Sequence, residues 1–159
     1  MTPAQRIDEY RQAANTFATL RPVIEQFNGK VYNKRFSEAL KQAIGETGYI
    51  YAEKGNNGRR LWINYAPKGC GYNYRNICNM DFEEATTDGK RINAEAILDN
   101  MRETRAELLK KAAELEEVGR HAEEIKTQIE MLENTIKAVL APLSYEAREL
   151  YEIKVRRYY

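Results

Sequence analysis

The sequence predicts an α+β protein that is mostly α-helical, in which a long coiled-coil-like helix packs with an N-terminal helix and a small head containing a β-hairpin. Three observations lead to this fold class. Apolar or small residues recur at three- and four-residue steps through residues 93–141, and a shorter run of the same kind occupies residues 1–27. Between them, short stretches rich in Tyr, Ile and Trp flank a Gly-Asn-Asn-Gly turn, which is typical of a hairpin.

Composition is consistent with one domain plus a helical extension. The chain has 159 residues, of which 43% are hydrophobic and 31% charged. Charges interrupt every apolar run well before the roughly 18 residues that a membrane span needs, and the N-terminal sequence MTPAQRIDEY lacks the apolar core of a signal peptide. We therefore expect a cytoplasmic protein that makes no membrane contact.

The net charge of +1 conceals an asymmetry along the chain. Residues 1–92 carry 14 Lys and Arg against 10 Asp and Glu, whereas residues 93–141 carry 7 against 11. Neither segment reaches the charge density of a dedicated nucleic-acid-binding domain. The two segments are expected to complement each other, within one molecule or between two copies.

The N-terminal helix, residues 1–27, begins with three signals that agree. In Thr2-Pro3-Ala4-Gln5, the threonine suits the N-cap, the proline the first helical position and the glutamine the third. Pro22 lies inside the apolar pattern and is expected to bend or restart the helix. Asn28-Gly29 is expected to end it.

The head, residues 28–92, is predicted to hold one helix and two or three strands. A helix starting near Asn33 is followed by strands at residues 49–52 and 60–65, which flank the hairpin turn at residues 55–58. Further on, the sequence predicts a third strand within residues 72–80 and a surface loop at residues 83–91.

The long helix, residues 93–141, is predicted to start at an N-cap Asn93 and to carry a heptad seam. Arg105 fills one seam position. At Leu115 a three-residue step replaces the expected four-residue step, which tightens a supercoil locally without ending the helix. Gly119 is the one internal breaker, with a helical hairpin there as the alternative. The residues predicted to form an oligomer seam are Leu98, Met101, Leu108, Leu115, Ile125, Ile129, Leu132 and Ile136.

Pro142 is expected to end the long helix and to lead into a C-terminal helix, residues 142–159. The N-terminal and C-terminal helices are together long enough to cover most of the seam within one molecule. A homodimer is the other way to bury it, and we expect a homo-oligomer, with a dimer favoured.

The head combines cationic and aromatic residues in a pattern that suits phosphates and unpaired bases. If Arg60, Trp62 and Asn64 share one face of their strand, Leu61 and its alternating neighbours occupy the other. Two alternatives are that the aromatic rings pack beneath the long helix under Arg and Lys stems, or that the surface binds protein. The predicted partner-binding or nucleic-acid-binding residues are Lys34, Arg35, Arg59, Arg60, Trp62, Asn64, Lys68, Tyr72, Tyr74 and Arg75.

No catalytic pattern is recognisable in the sequence. His121, the single histidine, has no neighbouring nucleophile, and the spacing of Cys70 and Cys78 is not that of a zinc site. We expect reduced, partly buried thiols, with a loop disulfide as the alternative, and neither a metal nor a cofactor.

The leading functional hypothesis is a non-enzymatic interaction protein that self-associates through its long helix and presents the head to a macromolecular partner. The favoured partner is another protein. A nucleic-acid-binding protein that uses the same head surface is the alternative. The third hypothesis is an inhibitor of a nucleic-acid enzyme, because Glu114, Glu116, Glu117, Glu123 and Glu124 place acidic clusters along the helix. A solvated helix face carrying local ion pairs is the simpler interpretation of those clusters.

Overall fold

A computed structural model describes residues 2–69, 73–142 and 146 and confirms the predicted fold class. A small three-stranded antiparallel sheet, in the order β1-β2-β3, packs with the helices. In chain order, the elements are α1 (Pro3–Gln26), α2 (Lys34–Ile44), one turn of 3₁₀ helix (Gly45–Thr47), β1 (Gly48–Gly55), β2 (Arg60–Pro67), β3 (Arg75–Asp81), α3 (Phe82–Ala85) and α4 (Ala94–Leu140).

Helix α1 begins with the predicted capping box. The Gln5 amide donates to the Thr2 hydroxyl at 3.1 Å, and the Thr2 amide donates to the Gln5 side chain at 2.8 Å. Helix α1 then continues through Pro22 to Gln26, so of the two expected effects, a bend or a restart, the restart does not occur. Pro22 and Ala18 both lie on the exposed side, where water can serve the Ala18 carbonyl that loses its usual amide donor.

The β1–β2 hairpin forms at the predicted turn. Asn56 and Asn57 have φ values of 50° and 58°, as the two central residues of a type I′ turn require, and the Gly58 amide donates to the Gly55 carbonyl at 3.1 Å. Asparagine tolerates this left-handed conformation better than most residues. The β1–β2 pairing ends at Gly55 and Arg60, so the connection between the two strands is the four residues 56–59.

The two faces of the sheet differ in burial. Along β2, Leu61 and Ile63 are fully buried. The alternate residues Arg60, Trp62 and Asn64 are half-buried, which is the predicted alternation. The buried face packs on α1 and α2 in one core, whose members include Leu20, Ile24, Phe36, Leu40, Ile50, Leu61, Ile63, Cys78 and Met80. We call the opposite face the outer face.

Helix side chains cover both edge strands of the sheet. On β1, the Ala52 amide donates to the Ser37 hydroxyl of α2 at 3.0 Å. On β3, the Asn100 side chain of α4 bonds the backbone of Asn79. These bonds tie α2 and α4 to opposite edges of the sheet.

The segment predicted as a surface loop, residues 83–91, is partly ordered into the core. Asp81 caps the single turn of α3 by accepting from the Glu83 amide at 2.8 Å, and the Phe82 ring lies 5.3 Å from the Tyr32 ring. Ala85 and the following threonine are buried, whereas residues 87–91 are exposed. The loop prediction rested on the turn-forming residues Thr86-Thr87-Asp88-Gly89, and it is correct for the exposed residues 87–91.

Helix α4 is one continuous helix that passes through Gly119 without a break. Its N-cap is the predicted Asn93, whose side chain accepts from the Ala96 amide at 3.3 Å. By packing, the chain divides into two compact units, Met1–Leu115 and Glu116–Tyr159, and α4 contributes to both. The predicted C-terminal helix, residues 142–159, lies outside the described residues except for 142 and 146.

Candidate functional site

The first half of the predicted oligomer seam is buried within the chain. Leu98, Met101 and Leu108 are at most 6% exposed and belong to the core of the first unit, and Leu115 is half-buried. Helix α1 covers this part of α4, with the Arg102 guanidinium 5.6 Å above the ring of Phe17. These seam residues therefore already have an intramolecular partner.

The second half of the seam presents an exposed row of apolar side chains. Four residues spaced seven apart, Val118, Ile125, Leu132 and Val139, are 65%, 57%, 63% and 64% exposed. We call this row the α4 stripe. Ile129 and Ile136 flank it and are half-buried. Because seven residues are close to two helical turns, the four side chains lie along one face of α4.

On the outer face of the sheet, Arg60 and Trp62 converge on one acceptor. The Oδ1 atom of Asn79 accepts from Arg60 Nε at 3.1 Å, Arg60 Nη2 at 2.8 Å and Trp62 Nε1 at 3.0 Å. The indole ring also covers Gly55, where a Cβ atom would come within 2.1 Å of the ring. Both predicted anchors are therefore held in defined orientations.

A second amide pair continues this polar surface along the sheet. The Asn76 side chain donates to Asn64 Oδ1 and to the Cys78 carbonyl, each at 3.0 Å. Asn64 is thus placed on the same face as Trp62, as the alternation in β2 predicts.

The other predicted binding residues occupy several different places. Lys34 and Arg35 lie exposed in the first turn of α2, Arg59 lies in the hairpin turn and Lys68 follows β2. The Arg75 side chain is only 23% exposed and packs against α1. Tyr72 lies outside the described residues.

Arg75 faces α1 rather than the outer face. Its Nε atom lies 3.0 Å from Oε1 of Glu9, which is fully buried, and its guanidinium lies 4.5 Å above the ring of Tyr10. Among the described residues, the second carboxylate oxygen of Glu9 has no hydrogen-bond partner. This ion pair joins α1 to β3.

A tyrosine-lined trough of about 560 Å³ lies beside β1, and two of its lining residues, Lys68 and Tyr74, are among the predicted binding residues. Tyr49, Tyr51 and Tyr74 line it together with Lys41 and Lys68, and the rings of Tyr51 and Tyr74 pack edge to face at 5.0 Å. We call it the tyrosine trough. Tyr49 and Tyr51 alternate with the buried Ile50, so strand alternation was the signal that would have placed them on one face.

Two buried groups have raised pKa values. Burial raises the pKa of the Cys78 thiol to about 12, only partly offset by the nearby charge of Arg60. Burial, reinforced by the charge of Glu53, raises the pKa of Tyr32 to about 12. Cys78 is therefore a protonated thiol at neutral pH, with little nucleophilic character.

Within the described residues, no group of three or more His, Cys, Asp or Glu side chains is placed to hold a metal ion. His121 lies on the exposed surface of α4, with Nδ1 3.5 Å from Glu124 and Nε2 3.8 Å from Glu117. None of the described helices combines the length and the apolar character that crossing a membrane requires.

Comparison with known proteins finds no matching family model, no matching curated protein and no matching solved structure. The fold assigns the chain to a structural class, α+β and mostly α. Its candidate sites are the α4 stripe, the outer face with Arg60 and Trp62, and the tyrosine trough.

Proposed function

We propose that this protein is a non-enzymatic interaction protein that self-associates through the α4 stripe and presents the outer face of its sheet to a macromolecular partner. The observation that carries the proposal is the stripe, in which four apolar side chains at heptad spacing are all more than half exposed. Fully burying one such side chain contributes about 1.5–3 kcal/mol. A helix packed along the stripe would bury all four together.

The outer face supports the second part of the proposal. Trp, Tyr and Arg are the residues that most often anchor protein interfaces. Because Asn79 already holds Arg60 and Trp62, a partner that binds them restricts little further side-chain motion. Preorganisation of this kind favours binding.

Light scattering of stripe variants tests the self-association. The double variant Ile125→Glu, Leu132→Glu places charges on the stripe, and we expect it to have the mass of one chain while keeping its helicity. Thr127→Glu, Asn134→Glu is the matched control, since both positions are exposed on another face of α4. A wild-type protein that is monomeric at micromolar concentration would contradict the proposal.

The tyrosine trough favours a second candidate function, the binding of single-stranded nucleic acid. Exposed tyrosine rings stack on unpaired bases, and the ammonium groups of Lys41 and Lys68 attract phosphates. Tyr49 and Tyr74 are 43% and 37% exposed, so their rings are accessible to a base. Lys68 and Tyr74 belong to the set of binding residues that the sequence predicts, and the trough adds Lys41, Tyr49 and Tyr51 to them.

Titration with short single-stranded DNA and RNA tests this second function. We expect Tyr49→Ala, Tyr74→Ala to weaken binding by about tenfold or more, because stacking contributes about 1–3 kcal/mol per base. Tyr49→Phe, Tyr74→Phe keeps the rings and should retain most of the affinity. Binding that is indifferent to salt and to both variants would count against the trough.

The third hypothesis, inhibition of a nucleic-acid enzyme, remains a prediction that rests on the acidic helix. Glu114, Glu116, Glu117, Glu123 and Glu124 are all exposed on α4. Two of them flank His121, as in a solvated surface with local charge pairs.

A further inference from the structure

We infer that the α4 stripe packs antiparallel against the same stripe of a second copy, in a register centred between Glu130 and Met131. This inference rests on the proposed self-association and specifies its geometry. Two observations support it: the exposed stripe itself, and the charged side chains that border the stripe on α4.

The apolar layers match in this register. In heptad notation, the stripe occupies the d positions and Leu115, Ala122, Ile129 and Ile136 occupy the a positions. An antiparallel pair centred after Glu130 places Ile129 against Leu132 of the second copy, and Ile125 against Ile136 of the second copy. Two-fold symmetry repeats each contact, so one patch serves both subunits.

The flanking charges are complementary in the same register. Lys126 and Glu133 occupy e positions, which meet across an antiparallel interface. Lys126 therefore lies beside Glu133 of the second copy, and symmetry supplies a second identical pair. The exposed stripe is thus bordered by charges that complement a copy of itself.

Neighbouring registers bring like charges together. A shift of one heptad in one direction places Lys126 beside Lys126 of the second copy, and a shift in the other direction does the same for Glu133. A parallel pair would bring His121 beside Lys126 and Gln128 beside Glu133, with no attractive ion pair. Charge pattern therefore distinguishes the antiparallel register from its nearest competitors.

Gly119 also fits this register. It is an e position opposite Leu140 of the second copy. Apart from the backbone of its own helix, no atom of the described residues lies within 4 Å of the place where its Cβ would be. A large apolar side chain against a glycine allows close approach of two helices. Gly119, which weakens the isolated helix, would thus contribute to packing between the two helices.

Charge exchange tests the register in the full-length chain. We expect Lys126→Glu to weaken dimerisation roughly tenfold, because two attractive pairs become repulsive, and Glu133→Lys to do the same. The double variant Lys126→Glu, Glu133→Lys should restore the wild-type affinity. Glu130→Lys, at an exposed b position, is the matched control. Additive weakening in the double variant would overturn the register.

Cysteine cross-linking tests the orientation separately, in a chain in which Cys70 is replaced by Ser and the buried Cys78 is kept. An antiparallel pair joins Ile125→Cys to Ile136→Cys only when the two single variants are mixed. Cross-linking of Ile125→Cys to itself would show a parallel dimer, which overturns this inference and leaves the proposed self-association standing.

A monomer in light scattering would overturn both the inference and the proposed function. Removal of residues 143–159 then identifies the occupant of the stripe. If the shortened chain dimerises and the full chain does not, the C-terminal segment of the same molecule covers the stripe, and the second copy is excluded.

Discussion

The side-chain amide of Asn100 forms two hydrogen bonds with the backbone of Asn79, donating to its carbonyl at 3.1 Å and accepting from its amide at 3.0 Å. Asn79 belongs to the edge strand β3, and its side chain holds Arg60 and Trp62 on the outer face. A single residue of α4 therefore supports both the sheet and the proposed partner surface.

Replacing Asn100 should destabilise the fold. We expect Asn100→Ala to lower the free energy of unfolding by about 1–2 kcal/mol, since it removes two hydrogen bonds. In urea unfolding, Glu103→Ala on the same helix serves as an exposed control. Hydrogen exchange at the Asn79 amide should accelerate in Asn100→Ala alone; unchanged exchange would show that the pair is not formed in solution.

Breaking the Glu9–Arg75 ion pair should lower the free energy of unfolding more than Asn100→Ala does. Because Glu9 is fully buried while Arg75 remains 23% exposed, we expect Glu9→Ala to lower the free energy of unfolding by about 2–3 kcal/mol. Asp8→Ala, at an exposed position, is the control for helix effects. A double-mutant cycle of Glu9→Ala and Arg75→Ala gives the interaction free energy between the two side chains. Strictly additive losses of unfolding free energy would mean that the two groups do not interact.

Crowding the indole ring should move the only tryptophan in the chain. A Cβ at position 55 would overlap the ring of Trp62, so we expect Gly55→Ala to shift its fluorescence and to destabilise the protein by about 1–3 kcal/mol. Asn56→Gly changes the same turn without touching the ring, because glycine adopts a positive φ freely. An unchanged emission spectrum in Gly55→Ala would contradict the packing of Trp62 on residue 55.

Alkaline pH should destabilise the fold through Cys78 and Tyr32. Burial raises the pKa of Cys78 from 9.0, and that of Tyr32 from 10.0, to about 12 in each case. The unfolded chain therefore releases these protons first, so stability is fully present below pH 9 and is lost as the pH rises from 9 towards 12. For the buried thiol of Cys78, the loss of stability is about 1.4 kcal/mol per pH unit within this interval. Tyr32 is partly exposed, so solvent screening makes its loss smaller.

Unfolding curves from pH 8 to 11 measure this loss. In Cys78→Ala, the decline should begin near pH 10, where Tyr32 starts to ionise in the unfolded chain. Thiol reagents should modify Cys78 only after unfolding. Rapid modification of Cys78 in the native protein would contradict its burial.

Local signals explain why so much of the fold was predictable. The capping box at Thr2, the consecutive asparagines of the hairpin turn and the alternation around Trp62 each act within a few residues. Each local preference agrees with the final packing, as foldable sequences require. Helix α4 was predictable for the same reason, because Gly119 alone does not outweigh its periodicity.

Long-range contacts explain what was not predictable. Glu9 looks like a surface residue of α1 until Arg75, 66 positions later, is brought against it. The buried side of α1 includes Glu9, Ala13, Thr16, Leu20 and Ile24, so two polar residues are buried together with the apolar ones. Heptad spacing likewise gave no indication that Leu108 is buried within the chain and Leu132 exposed.

Helix side chains at both edges of the sheet also affect how the protein behaves at high concentration. Fibrils grow when a strand of one molecule adds to an open edge of another. Here an incoming strand would first have to displace Ser37 from the Ala52 amide, or Asn100 from Asn79. Polymerisation by strand addition is thereby slowed at either edge, in addition to the effect of the charged side chains of Glu53 and Lys54 on β1.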